Sequence, residues 1–419
     1  MDSQLRLLAL VMAGGRGSRL FPLTRDRAKP AVPFGGRYRI IDFVLSNLVN
    51  SGVRAIYVLT QYKAQSLVEH IQRTWSMRSN YSDFVTVVPA QMRIGETWYR
   101  GTADSVYQNY HLVEDYRPDA VLVFGADHVY KMNVGQMVNF HRERNAVATV
   151  ACIPIPVSEA SSFGIVETDE TGRIVAFHEK PERNPATIPG DPTRCLASMG
   201  NYIFAPGPLA ESLLADASAE SHHDFGRNIL PGLVPSGRVF AYDFSQNRIP
   251  GVTDAGELGY WRDVGTIESY YESTLDLKNV VPHLNLYNWE WPILSANYPD
   301  PPSKLVFDDP DRRGVLLQSV VSGGCIIAGG FVKDCVLGRN VVVGEGADIR
   351  DSILFDNVTV GKHARIQRAI IDKNVRVAEN EHIGYDPARD AIRYHVSDGG
   401  ITVVAKARDT LLTRSRDFS

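Results

Sequence analysis

Gly14, Gly15 and Gly17 follow directly on an apolar run, Leu7 to Met12, and are interleaved with Arg16 and Arg19. An apolar run bounded by glycines reads as a buried strand that turns sharply at its end. Glycines at such a turn let backbone N–H groups converge on an anion, and the arginines, with Lys29 beyond them, add positive charge beside it. The chemistry that suits this loop is the holding of a polyphosphate. It is not a Walker loop, because no Gly-Lys-Ser/Thr follows, and Arg19 stands where a dinucleotide fingerprint needs its third glycine. A tight strand-to-helix turn with solvated arginines would use the same letters.

If the loop holds a triphosphate, nucleotidyl transfer needs a cation to neutralise charge on the departing pyrophosphate, and carboxylates to hold that cation. Asp127 lies just past the apolar run that ends at Phe124, at the carboxyl end of an expected parallel strand, where ligands bind in open α/β sheets. Asp263, in Tyr260-Trp261-Arg262-Asp263-Val264-Gly265, is the second candidate. Each is also of the type that forms an Asx turn or a helix cap. In Val175 to Pro181 the proline ends a strand and leaves Lys180 at its tip, a compact point charge for a terminal phosphate. His128 and the His222-His223 pair adjoin these motifs. They read as structural, because a phosphate acceptor is already an anion and attacks without a general base.

Lys29-Pro30 and Phe34-Gly35-Gly36, within the longer wording RAKPAVPFGG and then RIIDFVLSNLVNSG, resemble the signature of the sugar-nucleotide pyrophosphorylases. Within that family the wording looks most like the bacterial ADP-glucose type, and the resemblance runs from Leu7 to about Ala405. It implies a nucleotidyltransferase that takes ATP and α-D-glucose 1-phosphate, with Mg2+, to ADP-glucose and pyrophosphate, the committed step of bacterial glycogen synthesis. It also implies a cytoplasmic homotetramer controlled by phosphorylated metabolites. Residue by residue, it implies that Arg16 and Lys29 balance the triphosphate and that Asp127 and Asp263 hold the metal. ATP would then meet Gly14, Gly15, Gly17, Arg19, Gln91, Gly101 and Thr102. Glucose 1-phosphate would meet Tyr99, Gly164, Glu179, Lys180 and Ser198. An effector would meet Arg27, Arg39, Lys373, Arg393 and Lys406. Asp26 and Pro33 depart from the enteric-type pattern of a lysine and a histidine, which weakens the case for fructose 1,6-bisphosphate as activator and for AMP as inhibitor. A pyrophosphorylase for another nucleotide and hexose 1-phosphate, or a non-catalytic regulatory subunit of the same fold, would share these motifs.

The elements that must position these residues follow from periodicity. Runs at Leu7–Met12, Ala55–Thr60, Phe84–Pro89, Ala120–Phe124 and Ala146–Ile153 read as strands. Amphipathic stretches at Tyr38–Ser51, Ala64–Thr74, Ala103–Tyr116 and Gly135–Arg144 alternate with them. That order predicts an α/β domain with a mostly parallel sheet and helices on both faces, and the resemblance implies that it is a Rossmann-like (GT-A-like) nucleotidyltransferase domain whose sheet is mixed. Residues 164–204, richer in strands and turns, read as an inserted sugar-binding half. The catalytic domain is assigned to 1–281. A proline-punctuated stretch, 282–314, is assigned as a linker crossing the surface.

From 315 to 419 a seventeen-residue repeat takes over. Ile326, Val343, Val360 and Val377 keep that spacing, as do Leu337, Leu354 and Ile371, and Asn340, Asn357 and Asn374. Val332, Ile349, Ile366 and Ile383 lie six places after the first column. A steady short period means stacked coils, and the six-residue step resembles the hexapeptide left-handed parallel β-helix. Its asparagines suit turns with positive φ.

Bulk properties exclude other classes. The chain has 419 residues and a net charge of −4 with no basic block, which argues against a nucleic-acid partner. No run approaches the roughly 20 apolar residues of a membrane span. The first ten residues lack a signal-peptide layout, and Cys152, Cys195, Cys325 and Cys335 are scattered without ligand spacing, so a reduced cytosolic protein is expected.

Overall fold

The structure, a computed structural model, describes residues 5–75, 83–91, 93, 97–252 and 257–406. The tail at 407–419 and the first four residues, parts of two of the expectations above, lie outside the described residues. Leu7–Met12 is the centre of a nine-stranded sheet. It pairs in parallel with Ala55–Thr60 on one side and Ala120–Gly125 on the other, and Phe84–Pro89 adds in parallel to Ala55–Thr60. Leu8 and Leu10 face one apolar cluster while Ala9 and Val11 face another, all four inaccessible. Burial on both faces is why the run is continuously apolar rather than alternating. The parallel arrangement brings the carboxyl ends of three strands, and so the loops after Met12, Thr60 and Gly125, to one edge.

Beyond Ala120–Gly125 the sheet turns antiparallel. Arg194–Phe204 pairs with it, with Gly164–Thr168 and with Ala148–Pro156. Its register breaks between Ser198 and Tyr202, around a left-handed Gly200. A separate two-stranded ribbon, His128–Tyr130 with Trp261–Asp263, stands over this edge and sets Asp263 opposite His128. The single helix expected at Ala103–Tyr116 is two, Thr102–Tyr107 and His111–Tyr116. Between them Asn109 turns its amide to the Ser105 carbonyl and the Tyr99 hydroxyl.

The repeat forms three sheets, each a column of short parallel strands (one closed by the antiparallel strand His395–Val396), with one inward side chain per coil strand stacked on its equivalent in the next coil. Two expectations need correction. The first column begins at Ile327, not Ile326: Ile327 is the residue opposite Val343, and it is buried where Ile326 is half-buried. The corner at Gly329-Gly330 is one residue shorter than the later corners, and the seventeen-residue step starts only beyond it. The helix also begins earlier than 315, because Lys304–Val306 already pairs with Ile326–Ala328. The asparagine columns behave as expected. Asn340, Asn357 and Asn374 all have φ near +60°, and their amides form a ladder from coil to coil.

The stretch read as a surface linker is a pinned strap. Trp291, Ile293 and Ala296 are buried. Asn50 donates to the Pro292 carbonyl, the Leu294 N–H donates to Ser46, and Ser295 donates to the buried carboxylate of Asp42, all on or against helix Ile40–Asn50. Its far end is gripped by Arg339, whose guanidinium pairs with Asp300 and lies over Tyr298. Apolar side chains of both halves, among them Phe34, Tyr270, Val336 and Phe355, form one continuous cluster, so the two domains share a core rather than hang on a tether.

Candidate active site

The loops at the carboxyl edge enclose a cavity of about 560 Å³. Gly14, Gly15, Gly17 and Arg19 form one wall. Gly17 holds φ +60°, and a side chain there would sit 2.9 Å from Cβ of Lys29. Only glycine therefore lets the loop close over the lysine. A Cβ on Gly15 would meet nothing within 4 Å, so that part of the loop faces open space into which a ligand fits.

Lys29 is buried and stands between two carboxylates, its Nζ 3.2 Å from Oδ2 of Asp127 and 2.8 Å from Oδ1 of Asp263. The contact joins segments 98 and 234 residues apart. Arg19 approaches the other oxygen of Asp263 at 3.5 Å, and His128 Nε2 the other oxygen of Asp127 at 3.4 Å. Burial pulls the Lys29 ammonium down, but the two aspartates outweigh it and leave it raised. Burial pushes the Asp127 carboxyl up, yet His128 and Lys29 win and hold it far below the usual carboxylate range. The two carboxylates thus converge on one ammonium, with Arg19 and His128 at their outer oxygens.

The donor set fits a divalent cation. Oxygen or nitrogen atoms of Asp127, His128 and Asp263 all lie within 4.8 Å of one another. The Asp127 carboxylate is partly exposed and open to the cavity. Two carboxylates with room for water are what a hard cation takes. The ribbon that carries them is fixed from behind. Asn47, fully buried in helix Ile40–Asn50, donates to the Tyr130 carbonyl at 3.1 Å and accepts from the Met132 N–H at 3.0 Å.

The opposite wall carries Tyr99, Gly101, Thr102 and Glu179. Burial raises the Tyr99 phenol, and burial with Asp224 beside it raises the Glu179 carboxyl against Lys180 and Arg227. Gly164 is not in the wall but makes room for it, since a Cβ there would lie 2.9 Å from Oε2 of Glu179. Ser198 also stands behind the wall, hydrogen-bonded to Tyr202, which does line the cavity. Lys180 sits at φ +50° with its ammonium 3.7 Å from Glu179, largely exposed and outside the wall. Arg16 leans over the ring of Tyr62, and Gln91 is exposed beyond strand Phe84–Pro89, neither in the wall.

Gln61, Tyr202 and Asp224 line the cavity and were missed by sequence reasoning. Gln61 accepts from the Tyr99 N–H at 2.7 Å. Asp224 accepts from the Gly226 and Arg227 amides and from the Thr102 hydroxyl. The signal for Asp224 was an Asp-Phe-Gly turn beside two histidines. For Gln61 it was only a polar residue closing an apolar strand, and Tyr202 had none.

Of the basic residues carried over for an effector, three meet at the domain junction. Arg27 makes a two-pronged pair with Asp372 at 2.9 and 3.1 Å, and Lys373 pairs with Asp356 at 3.2 Å. Arg39 is close enough to affect both neighbours. Burial first, then Arg39 and Arg27, pushes the Lys373 ammonium down to about 8. Arg393 pairs instead with Glu381, and Lys406 offers its carbonyl to Arg25.

A glycine-rich loop and two convergent aspartates at the carboxyl edge of this sheet define a nucleotidyltransferase-type site. The chain matches the family model described as nucleotidyl transferase over residues 8–280, and it belongs to that family. Residues 301–404 match the model described as GlmU-like, C-terminal hexapeptide. The chain is 52% identical to the glucose-1-phosphate adenylyltransferase of Anaeromyxobacter dehalogenans, over 96% of this chain and 98% of that protein. It is 52% identical to the protein of the same name from Thermus thermophilus, over 81% and 83%. Glucose-1-phosphate adenylyltransferase 2 of Alkalilimnicola ehrlichii is 49% identical, over 95% and 93%.

Proposed function

We propose that the chain is a glucose-1-phosphate adenylyltransferase, making ADP-glucose and pyrophosphate from ATP and α-D-glucose 1-phosphate, with Mg2+ on Asp127 and Asp263. The observation that carries the reading is the meeting of Asp127, Lys29 and Asp263, the first two in the wall of the same cavity as the glycine loop and Asp263 reached through Lys29 just behind it. In this reading the amides of Gly14, Gly15 and Gly17 hold the triphosphate, and Arg19 and Lys29 balance its charge. Arg16 and Gln91 reach the nucleotide from the rim. Tyr99 and Glu179 orient the hexose, and Lys180 meets its phosphate at the mouth of the cavity. That phosphate, already an anion, attacks the α-phosphorus in line, and positioning replaces a general base. When bound, the divalent ion neutralises charge on the leaving pyrophosphate. Two aspartates with room for water favour Mg2+ over softer ions.

Arg27, Arg39 and Lys373 form the junction at which a phosphorylated metabolite binds. The apolar flanks and edge strands of the β-helix favour self-association into a homotetramer, and sedimentation tests it. Scattered, buried free cysteines suit a reduced cytoplasm, and among the described residues no helix is long and apolar enough to cross a membrane. Pyrophosphate release tests the reaction, measured with four nucleoside triphosphates against several hexose 1-phosphates. ATP with glucose 1-phosphate should exceed every other pair. A different best pair would reassign the substrate, and none at all would make the chain a non-catalytic subunit.

A further inference from the structure

His223 is buried, holds φ +51°, and does not line the cavity. A non-glycine residue in that conformation persists only where its surroundings enforce it. Here they are specific. Asp216 holds the ring through Nδ1 at 2.8 Å. Ser221 donates to the other oxygen of Asp216 and accepts from the His223 N–H at 2.9 Å. The strained turn puts its backbone to use on the far side. Its carbonyl accepts from the Ala103 N–H at 2.8 Å. A Cβ on Gly101 would lie 2.2 Å from that same carbonyl oxygen and 2.4 Å from the oxygen of His222. Glycine at 101 is thus required by the close approach of two segments of the chain, since its own φ is extended. One residue on, Asp224 receives the Thr102 hydroxyl at 3.0 Å, and Thr102 accepts the Phe225 N–H at 3.1 Å.

We infer that His223 is a positioning residue whose ring, fixed by Asp216, latches the 101–103 loop to the 224–226 turn and so sets both walls of the substrate cavity at once. The inference rests on the reading above. On it, Gly101 and Thr102 face the nucleotide, while Asp224 and Gly226 lie against Glu179 on the hexose side. The latch therefore fixes the distance between the two substrates rather than touching either. A loop set loose by a fraction of an ångström loses in-line alignment, which costs rate even though every reacting group is present.

His223→Ala, His223→Asn and Ser221→Ala are compared in the full chain, by initial-rate kinetics and by amide hydrogen exchange. Asn tolerates the left-handed region and carries its amide nitrogen where the ring carries Nδ1, so it should restore the latch. His223→Ala should raise KM for glucose 1-phosphate about tenfold and lower kcat by about 10- to 100-fold, with faster exchange confined to 101–107 and 224–229. His223→Asn should stay within about threefold of the parent on every measure, and Ser221→Ala should fall between them. If His223→Ala does not fold, Gly101→Ala, which pushes the same two segments apart, should give that pattern. The inference fails if the Ala and Asn variants are equally impaired, if neither differs from the parent, or if exchange rises throughout the chain. Should the parent release no pyrophosphate with any substrate pair, the reaction reading falls, and the exchange pattern alone decides the latch.

Discussion

The β-helix and the catalytic half bury side chains by opposite means. In the β-helix each inward residue rests on its equivalent one coil away, as Ile349 does on Ile366 and Ile366 on Ile383. Its contacts are near in sequence and nearly identical. In the catalytic half, Lys29 meets partners 98 and 234 residues away, each on a loop unlike the others. Repetition yields a rigid body but cannot place one ammonium between two carboxylates. The difference teaches that stability and chemistry draw on separate sets of residues here, joined at the shared apolar core and at the pinned strap.

The separation can be tested. The largest effect is expected at Asp127→Asn, which should lower kcat about a thousandfold and change substrate KM far less. Near-normal turnover would remove Asp127 from the chemistry. Ile366→Ala, at a fully buried rung, should cost about 3 kcal/mol in urea unfolding while kcat per folded molecule stays within twofold, about the scatter such comparisons allow. A matching loss of kcat would show that the two halves are not separable. Arg27→Leu strands the buried Asp372 carboxylate and should cost about 3 kcal/mol, seen as an earlier separate transition if the domains undock first. Asn357→Ala removes one ladder rung at the surface and should cost less than about 1 kcal/mol.

The smallest effect is a protonic one. Lys373 sits near 8, against an ordinary 10.5, because burial, Arg39 and Arg27 oppose its charge. A phosphate seated among these groups would raise it again. Binding at about pH 8.5 should then take up as much as about 0.7 proton per chain, and Lys373→Met should take up none. Calorimetry in two buffers of different ionisation heat reads the difference. In the unliganded protein the sign is fixed as well. Between about 8 and 10.5 the unfolded chain holds more protons at this residue, so its contribution to stability improves as pH rises through that window.

Much of the fold was legible because period and burial go together. Leu7–Met12, Ala55–Thr60 and Phe84–Pro89 have the bounds that their apolar runs imply. The repeat announced its coils, yet Ile326 was misplaced by one residue, because a short glycine corner shifts register without disturbing the apolar spacing on which the eye relies. Proline content suggested a loose linker between the domains. The strap is instead held by hydrogen bonds from helix Ile40–Asn50, and neither sequence segment carries a mark of the other. In the site, Gly17, Lys29, Asp127 and Asp263 were readable as chemistry. Asn47 and Gln61 were not, since an amide in a helix or at a strand end looks the same whether or not it holds a functional loop.

By itself the sequence determined the two architectures, through alternation of strand and helix in one half and a constant period in the other. It also determined which residue types could hold a triphosphate and a divalent ion. Only the tertiary structure decided that Lys29 lies between the two aspartates, that Lys180 stands outside the cavity wall, and that His223 turns its carbonyl into the loop at Gly101. The reason is physical: periodic burial is a property of neighbouring residues, whereas the field at a site is the sum of charges brought from distant segments, and no local pattern encodes their distances.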